Sequence, residues 1–370
     1  MKVLIMVHAL TGGGAERVAA SWGNGLANLN HNVYILTNTD NQSYETKNVN
    51  IIERQIPLKK SNSIFSKIIR KIFSSSVSFF QLLHVIVKYK PDIIINVLYL
   101  NPYALLLARF FSGRKVLIIM TDHNAYERPS GTEFKWRQWK NKFIDNKLFD
   151  IVTVLTNRDK EILVKKGFNN IEVLHNPLFL KPLSSIPPKD KTILAVGRLD
   201  AWHVKGFDIL LNVWNRISEK YSDWKLIIVG DGSKEIKNNL QQLITHNKES
   251  VIFKSFTSDI IEEYKKASIF VLSSRYEGWG LVAVEAMSQG CATIACDYHG
   301  RQSEFITDYK NGLLCSPDDA IELQAKIEDA ISNKELREGL QKNAIVNLEK
   351  FSEKNIAKRI EKIVSTGTRE

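Results

Sequence analysis

Two successive series of short apolar runs constrain this chain more than any other feature. "MKVLIMV" opens it, "AERVAASWGNGLANLN" follows with helical spacing, and "NVYILTN" is a second β-rich run. Strand, helix, strand is the start of a parallel α/β sheet. "PDIIINVL", "KVLIIMT" and "IVTVLT" continue the strands, with helical stretches between them. At 183–191, "LSSIPPKDK" reads as a linker by its serines and prolines. The pattern then restarts with "TILAVGRLD", a helix from about Phe207, "KLIIVGDG", "VIFKSF", "IFVLSS", a helix from about Leu281, and "ATIACD". The expected architecture is α/β, with two Rossmann-like domains facing each other across a cleft. These are residues 1–183 and 192–351, joined by a linker at 184–191. In such sheets ligands sit at the carboxyl ends of strands. The tail "SEKNIAKRIEKIVS" predicts a last amphipathic helix within 352–370, with Ser352 as N-cap, returning to the first domain.

A chain of 370 residues, 44% of them hydrophobic, has enough material for two such cores. The opening apolar run is too short for a signal peptide, and no stretch of about 18 apolar residues suggests a membrane span. Cys291, Cys296 and Cys315 lack metal spacing and are odd in number, so they read as small buried hydrophobes in a reducing compartment.

The net charge of +11 is uneven: residues 1–183 carry +12 and residues 184–370 carry −1. A half this basic points to a polyanion, whether nucleic acid, an anionic membrane or a phosphorylated substrate. Within it, "KKSNSIFSKIIRKIFSSSVSFFQLL" (59–83) is amphipathic on a helical wheel. Phe65, Ile68, Ile69, Ile72 and Phe73 share one face, and Lys60, Lys67, Arg70 and Lys71 lie opposite. Such a helix suits an anionic membrane interface, or a surface helix packed on its own domain. There is no nucleic-acid-reading motif, and these aromatics lie on the apolar face rather than among the cations, so nucleic acid is not the expected partner.

Four motifs carry candidate chemistry. "HALTGGGAER" sets Gly12, Gly13 and Gly14 before the first helix, either as a phosphate cradle or as a flexible turn. The dinucleotide fingerprint fails because its third glycine position is Arg17, and only Asp40 hints at a ribose-binding acid. "VGRLDAWHVKGFDIL" places Arg198 and Lys205 around a strand end, where two cations suit a diphosphate. In "SSRYEGWGLVAVEAM", Leu281, Val284 and Met287 have helical spacing. Gly280 and Leu281 therefore sit near a helix start, with free amides for phosphate oxygens. Glu285, one turn inside, suits the vicinal hydroxyls of a ribose, and Glu277, on the preceding loop, suits the sugar end of a sugar nucleotide. "IIMTDHNAYERP" puts His123 at a strand end, as a sugar or acceptor contact or as a histidine satisfied by backbone. His8 is similarly placed, and there the structural reading is preferred. Arg301, Gln302 and Glu304 read equally as pocket lining and as surface loop.

The Glu277/Glu285 pair, "GRL" with "KGFD", "VGDG" at 229–232, "IFVLSSRYEGWGLVAVEAM", "NGLL" at 311–314 and "GGGAERV" together resemble glycosyltransferase family four. The resemblance spans nearly the whole chain and implies a GT-B fold and a retaining mechanism. It implies that Arg198 and Lys205 contact the donor diphosphate, Glu285 the ribose and Glu277 the hexose. It also implies that Gly278, Trp279, Gly280 and Leu281 line the phosphate site, and that Gly13 and Gly14 close over it. His123 and Glu277 would be the catalytic pair. The family commonly works without metal, and no Asp-x-Asp occurs here. The expected donor is a nucleotide-linked hexose or N-acetylhexosamine, with UDP favoured and GDP the other base considered. The expected acceptor is a lipid-linked glycan, reached by a cytoplasmic, membrane-peripheral enzyme. Two rival readings are a nicotinamide-dependent oxidoreductase using Gly12–Gly14 and Asp40, and a non-catalytic sugar-nucleotide-binding protein.

Overall fold

The computed structural model describes the chain except Gly12, residues 39–42, 54–63, Tyr99, 129–144, Ser258 and 368–370, and without the side chains of 64–75 and 145–146. Asp40 and Lys60, and the side chains of Phe65, Lys67, Arg70, Lys71 and Phe73, lie outside the described residues. The chain forms two compact units. The first is Met1–Phe179 with Phe351–Glu370, and the second is Leu180–Lys350. The crossover thus comes between Phe179 and Leu180, ahead of the proline-bearing stretch, and Asp190 and Lys191 of that stretch already belong to a strand.

Unit one is a parallel sheet of seven strands in the order β3-β2-β1-β4-β5-β6-β7. Its strands are β1 (Lys2–Met6), β2 (Asn32–Thr37), β3 (Asn50–Glu53), β4 (Ile93–Val97), β5 (Leu117–Thr121), β6 (Ile151–Val154) and β7 (Ile171–Val173). A parallel sheet is covered on both faces, which is why these strands read as unbroken apolar runs. Alternate residues feed opposite layers. Val3, Ile5, Val33 and Ile95 pack beneath helix α1 (Gly14–Asn28), whereas Leu4, Met6, Ile94 and Ile118 pack beneath α2 (Ile64–Tyr89) and α3 (Pro102–Ser112).

The C-terminal helix completes the first of these layers. It runs over Glu353–Gly367 and buries Ile356, Ala357, Ile360 and Ile363 among the α1-side residues. Ser352 caps it, its Oγ accepting from Asn355 N–H at 3.3 Å. Gly25 on α1 faces it so closely that a Cβ there would stand 2.5 Å from the Glu353 carbonyl oxygen. His31 Nε2 lies 2.8 Å from Glu361 Oε1 and pins the helix from the side.

Unit two is a six-stranded parallel sheet, order β10-β9-β8-β11-β12-β13. Its strands are β8 (Asp190–Val196), β9 (Lys225–Val229), β10 (Val251–Lys254), β11 (Ala267–Leu272), β12 (Ala292–Cys296) and β13 (Leu313–Cys315). The strand order reverses direction between β8 and β11, the position where doubly wound sheets open a ligand crevice. The three cysteines are buried here, and burial pushes the Cys291 thiol up to about 11.

Ile360 is 1% exposed at the centre of the returning helix. Ile360→Ala should destabilise unit one by about 2–5 kcal/mol, the usual cost of a cavity of this size. A urea midpoint unchanged from wild type would show that the helix contributes nothing to the core.

Candidate active site

The β8/β11 reversal in unit two gathers the residues that the sequence singles out. β8 ends at Val196, so Gly197 and Arg198 lead out at its carboxyl end. A short helix, α5 (Trp202–Lys205), brings the chain back, and Gly206 turns it into α6 (Phe207–Ile217). Gly206 adopts φ +65°, and a Cβ on it would stand 1.9 Å from the Ser273 carbonyl oxygen. Only glycine fits this approach of the turn to the end of β11. Lys205 is therefore laid against the loop that follows β11, and a Cβ on Gly197 would lie 3.3 Å from its Cγ.

On that loop stands Glu277. Its Oε2 accepts from Lys205 Nζ at 2.7 Å and from Ser274 Oγ at 3.4 Å, and its Oε1 accepts from the Gly278 N–H at 3.2 Å. The lysine and glutamate side chains are 24% and 17% exposed, so the pair is partly shielded yet reachable. Arg198 is exposed and makes no ion pair or side-chain hydrogen bond among the described residues. Beyond Glu277, Gly280 takes φ +88° and caps helix α9 (Leu281–Ser288). The first amides of that helix have no intrahelical acceptor and offer a positive end to an anion.

Two residues of this group are buried. Trp279 is 1% exposed, its ring 5.0 Å from that of Phe305, so it is a core anchor beneath the loop. Glu285 is also 1% exposed, and it accepts from the Tyr264 hydroxyl at 3.0 Å. A helix this apolar is buried nearly all round, which leaves its single acid facing inward. Of the residues read as possible lining, Arg301 and Gln302 are fully buried. Gln302 Nε2 donates to the Trp279 carbonyl at 3.3 Å and its Oε1 accepts from Tyr298 N–H at 2.7 Å, tying two loops together.

Arg275 is the residue that sequence reasoning passed over. Its guanidinium, 11% exposed on the side chain, grips Asp208 through both Nη atoms at 2.8 Å. It also reaches the His203 carbonyl at 2.7 Å and Asp318 at 2.9 Å, while its backbone N–H donates to Val204 O at 2.9 Å. Burial raises the Asp208 carboxyl, but the paired guanidinium outweighs it and holds the acid below the usual carboxylate range. The α5 turn and the Glu277 loop are thereby fastened to each other at both backbone and side chain. Its position two residues before Glu277 was the available signal.

In unit one, Gly13 is the extended N-cap of α1, with its carbonyl accepting from Tyr44 OH at 3.1 Å, and Gly14 opens the helix. His8 is exposed and meets Asn38 Nδ2 through Nδ1 at 2.8 Å. His123 follows β5. Its Nδ1 lies 3.2 Å from Asn176 Oδ1 and its Nε2 3.3 Å from Thr121 Oγ1, so the neutral tautomer donates to Asn176 and accepts from Thr121. Burial pushes this imidazole down to about 4, against the opposing Asn176 bond, and Trp22 shields one side at 5.6 Å between ring centroids. Trp22 Nε1–H meets no acceptor among the described residues.

Two families match, end to end. Residues 12–180 match "Glycosyltransferase Family 4" and residues 180–346 match "Glycosyl transferases group 1". The Campylobacter jejuni N-acetylgalactosamine-N,N'-diacetylbacillosaminyl-diphospho-undecaprenol 4-alpha-N-acetylgalactosaminyltransferase is 27% identical over 96% of this chain and 97% of its own. The amylovoran biosynthesis glycosyltransferase AmsD of Erwinia amylovora is 28% identical over 97% and 98%. Anabaena HepE, solved in complex with UDP and glucose, has a similar fold, with TM-score 0.76 at 18% identity over 99% of this chain and 100% of that one. The chain belongs to glycosyltransferase family four, and it is a glycosyltransferase with the GT-B fold.

Proposed function

We propose that the protein transfers a hexose or N-acetylhexosamine, with retention and without metal, from a UDP-sugar to a lipid-held glycan in surface polysaccharide, lipopolysaccharide or glycolipid synthesis. The observation that carries the donor side is the Lys205–Glu277 pair at 2.7 Å, at the carboxyl end of β8 and β11. Within the pair the two charges balance each other. An arriving diphosphate brings negative charge to Arg198, Lys205 and the α9 amides, and Glu277 becomes free to accept sugar hydroxyls. Those cations stand where the leaving diphosphate gains charge in the transition state. In the step itself the anomeric carbon–phosphate oxygen bond breaks and a bond to the acceptor hydroxyl oxygen forms on the same face. The acceptor proton passes to the departing phosphate oxygen. Glu285, whose Oε2 accepts from the Tyr264 hydroxyl, is the acid assigned to the ribose hydroxyls. His123, neutral at working pH, is suited to hydrogen bonding a sugar or acceptor hydroxyl, not to supplying charge.

The UDP assignment draws on HepE, which was solved with UDP and glucose, and the lipid-held acceptor draws on the Campylobacter relative, whose name specifies a diphospho-undecaprenol. Family membership removes the support for a nicotinamide-dependent oxidoreductase. A membrane-peripheral, cytoplasmic site of action belongs to the same proposal.

Three outcomes test this reading. Lys205→Met should lower kcat/KM about 10²–10³-fold, the usual scale for losing one group that stabilises developing charge; activity within threefold of wild type would remove the lysine from the mechanism. A thermal-shift panel of UDP, GDP and their sugars should show stabilisation by the uridine series alone, unchanged by EDTA. About 2.7 kcal/mol is expected at a hundred times Kd, whereas a shift with GDP-mannose only, or one abolished by EDTA, would overturn the donor or the metal-free assignment. Third, the unfolded chain protonates His123 near pH 6.5 and the folded chain near 4. Stability should therefore fall as pH drops through that window, and His123→Gln should flatten that part of the Tm–pH curve. An unchanged slope would show that the imidazole is not desolvated.

A further inference from the structure

An α/β unit of this kind normally turns the polar sides of its outer helices to water. Helix α3 does not. It buries Ala104, Leu105 and Ala108 against the sheet, yet its outward stripe is Tyr103, Leu107, Phe110 and Phe111. Phe110 is 78% exposed, Phe111 65% and Leu107 51%. Helix α2 lies beside it and contributes Phe80, 65% exposed, one turn from the exposed His84. The rings form one continuous chain across the two helices: Phe80 to Phe79 at 5.0 Å, Phe79 to Phe111 at 5.7 Å, and Phe111 to Phe110 at 5.4 Å. Single exposed apolar side chains are ordinary, but a contiguous aromatic patch on two neighbouring helices marks a surface that something covers.

Charge decides what covers it. Residues 59–115 hold ten Lys or Arg against one acid, Asp92, a net of +9. Lys88, near the end of α2, and Lys115, just beyond α3, are exposed. Of these cations, Lys88, Lys90, Arg109, Arg114 and Lys115 lie among the described side chains, so two copies of this chain meeting through this face would set cations against cations, and self-association is disfavoured. An anionic bilayer complements both features at once, accepting the rings at the headgroup boundary and the cations among the phosphates. No helix among the described residues is long and apolar enough to cross a membrane, so the contact is one of lying on the surface.

We infer that the Phe80–Leu107–Phe110–Phe111 face of α2 and α3 is the surface by which the protein rests on an anionic lipid bilayer. The inference deepens the proposed function, resting on it for the purpose of the contact, which is to bring the enzyme to a lipid-held acceptor. It extends the expected membrane stripe to Phe80, within the 59–83 stretch, and onto α3 beyond it, while the side chains of Phe65 and Phe73 lie outside the described residues.

Vesicle co-sedimentation of the full chain, without donor or acceptor, tests the surface separately from the chemistry. Wild type should bind phosphatidylglycerol-containing vesicles, bind pure phosphatidylcholine weakly, and release with added salt. Phe80→Ser/Phe110→Ser/Phe111→Ser should reduce partitioning about tenfold or more, since binding scales with buried apolar area. Lys88→Glu/Lys115→Glu should reduce it several-fold and flatten its dependence on salt, since fewer cations meet the anionic surface. Both variants should keep the wild-type Tm and the wild-type shift with UDP, as their changed side chains are exposed and remote in sequence from the donor residues. Undiminished binding by the aromatic variant, equal binding to neutral vesicles, or a wild-type dimer that the aromatic variant dissolves without any vesicle binding would each overturn the inference. Loss of sugar transfer with vesicle binding intact would count against the proposed reaction and leave the surface standing.

Discussion

The donor-side geometry depends on one backbone approach: the turn at Gly206 against the carbonyl of Ser273. Any side chain at position 206 would collide with a backbone atom, so the contact is available to glycine alone. Once made, it fixes the relation between two segments that lie 72 residues apart along the chain and meet at 2.7 Å through Lys205 and Glu277. Arg275 then holds what the glycine permits, with a bidentate grip on Asp208 and a bond to the α5 carbonyl. Steric permission and electrostatic fastening act on the same two segments. The ion pair between them is a result of that scaffold more than its cause, because a partly exposed pair contributes little stability by itself.

Much of this was legible in the sequence, for a physical reason. Strands buried on both faces must be apolar throughout, so β1, β4, β8 and β11 announce themselves without alternation. The helix start at Leu281 was equally plain, since a glycine before apolar residues at helical spacing is a local signal. What stayed hidden was long-range or depended on side-chain direction. Lys205 and Glu277 were read as separate contacts of a ligand, when they are first contacts of each other. Trp279 sits between two glycines of a loop, which suggests exposure, yet its ring fills the space beside Phe305. Glu285 reads as a ligand acid because a carboxylate is out of place in an apolar helix, and that reading does not reveal its partner within the fold. Tyr264, 21 residues earlier, supplies it with a partner that no spacing rule would indicate.

The two halves also differ in how they manage charge. The second unit pairs its ionic groups within itself, as at Arg275 with Asp208, Lys254 with Glu263 and Lys326 with Asp308. The first half carries twelve more cations than anions. Self-repulsion of this size costs stability, and it is concentrated in the stretch that also leaves aromatic rings in water. Both features act against an isolated fold, and the inferred lipid contact would relieve both.

The return of the last helix to unit one has a consequence for how the molecule is made. The groove along α1 at Gly25 is covered by a segment that follows the whole of unit two in the chain. During synthesis the second unit can close as a continuous stretch, whereas the first must wait with Val18, Trp22 and Leu26 partly uncovered until Ile356 and Ile360 have left the ribosome. The unit begun first is therefore the one finished last, and its unfinished face stays open to water until then.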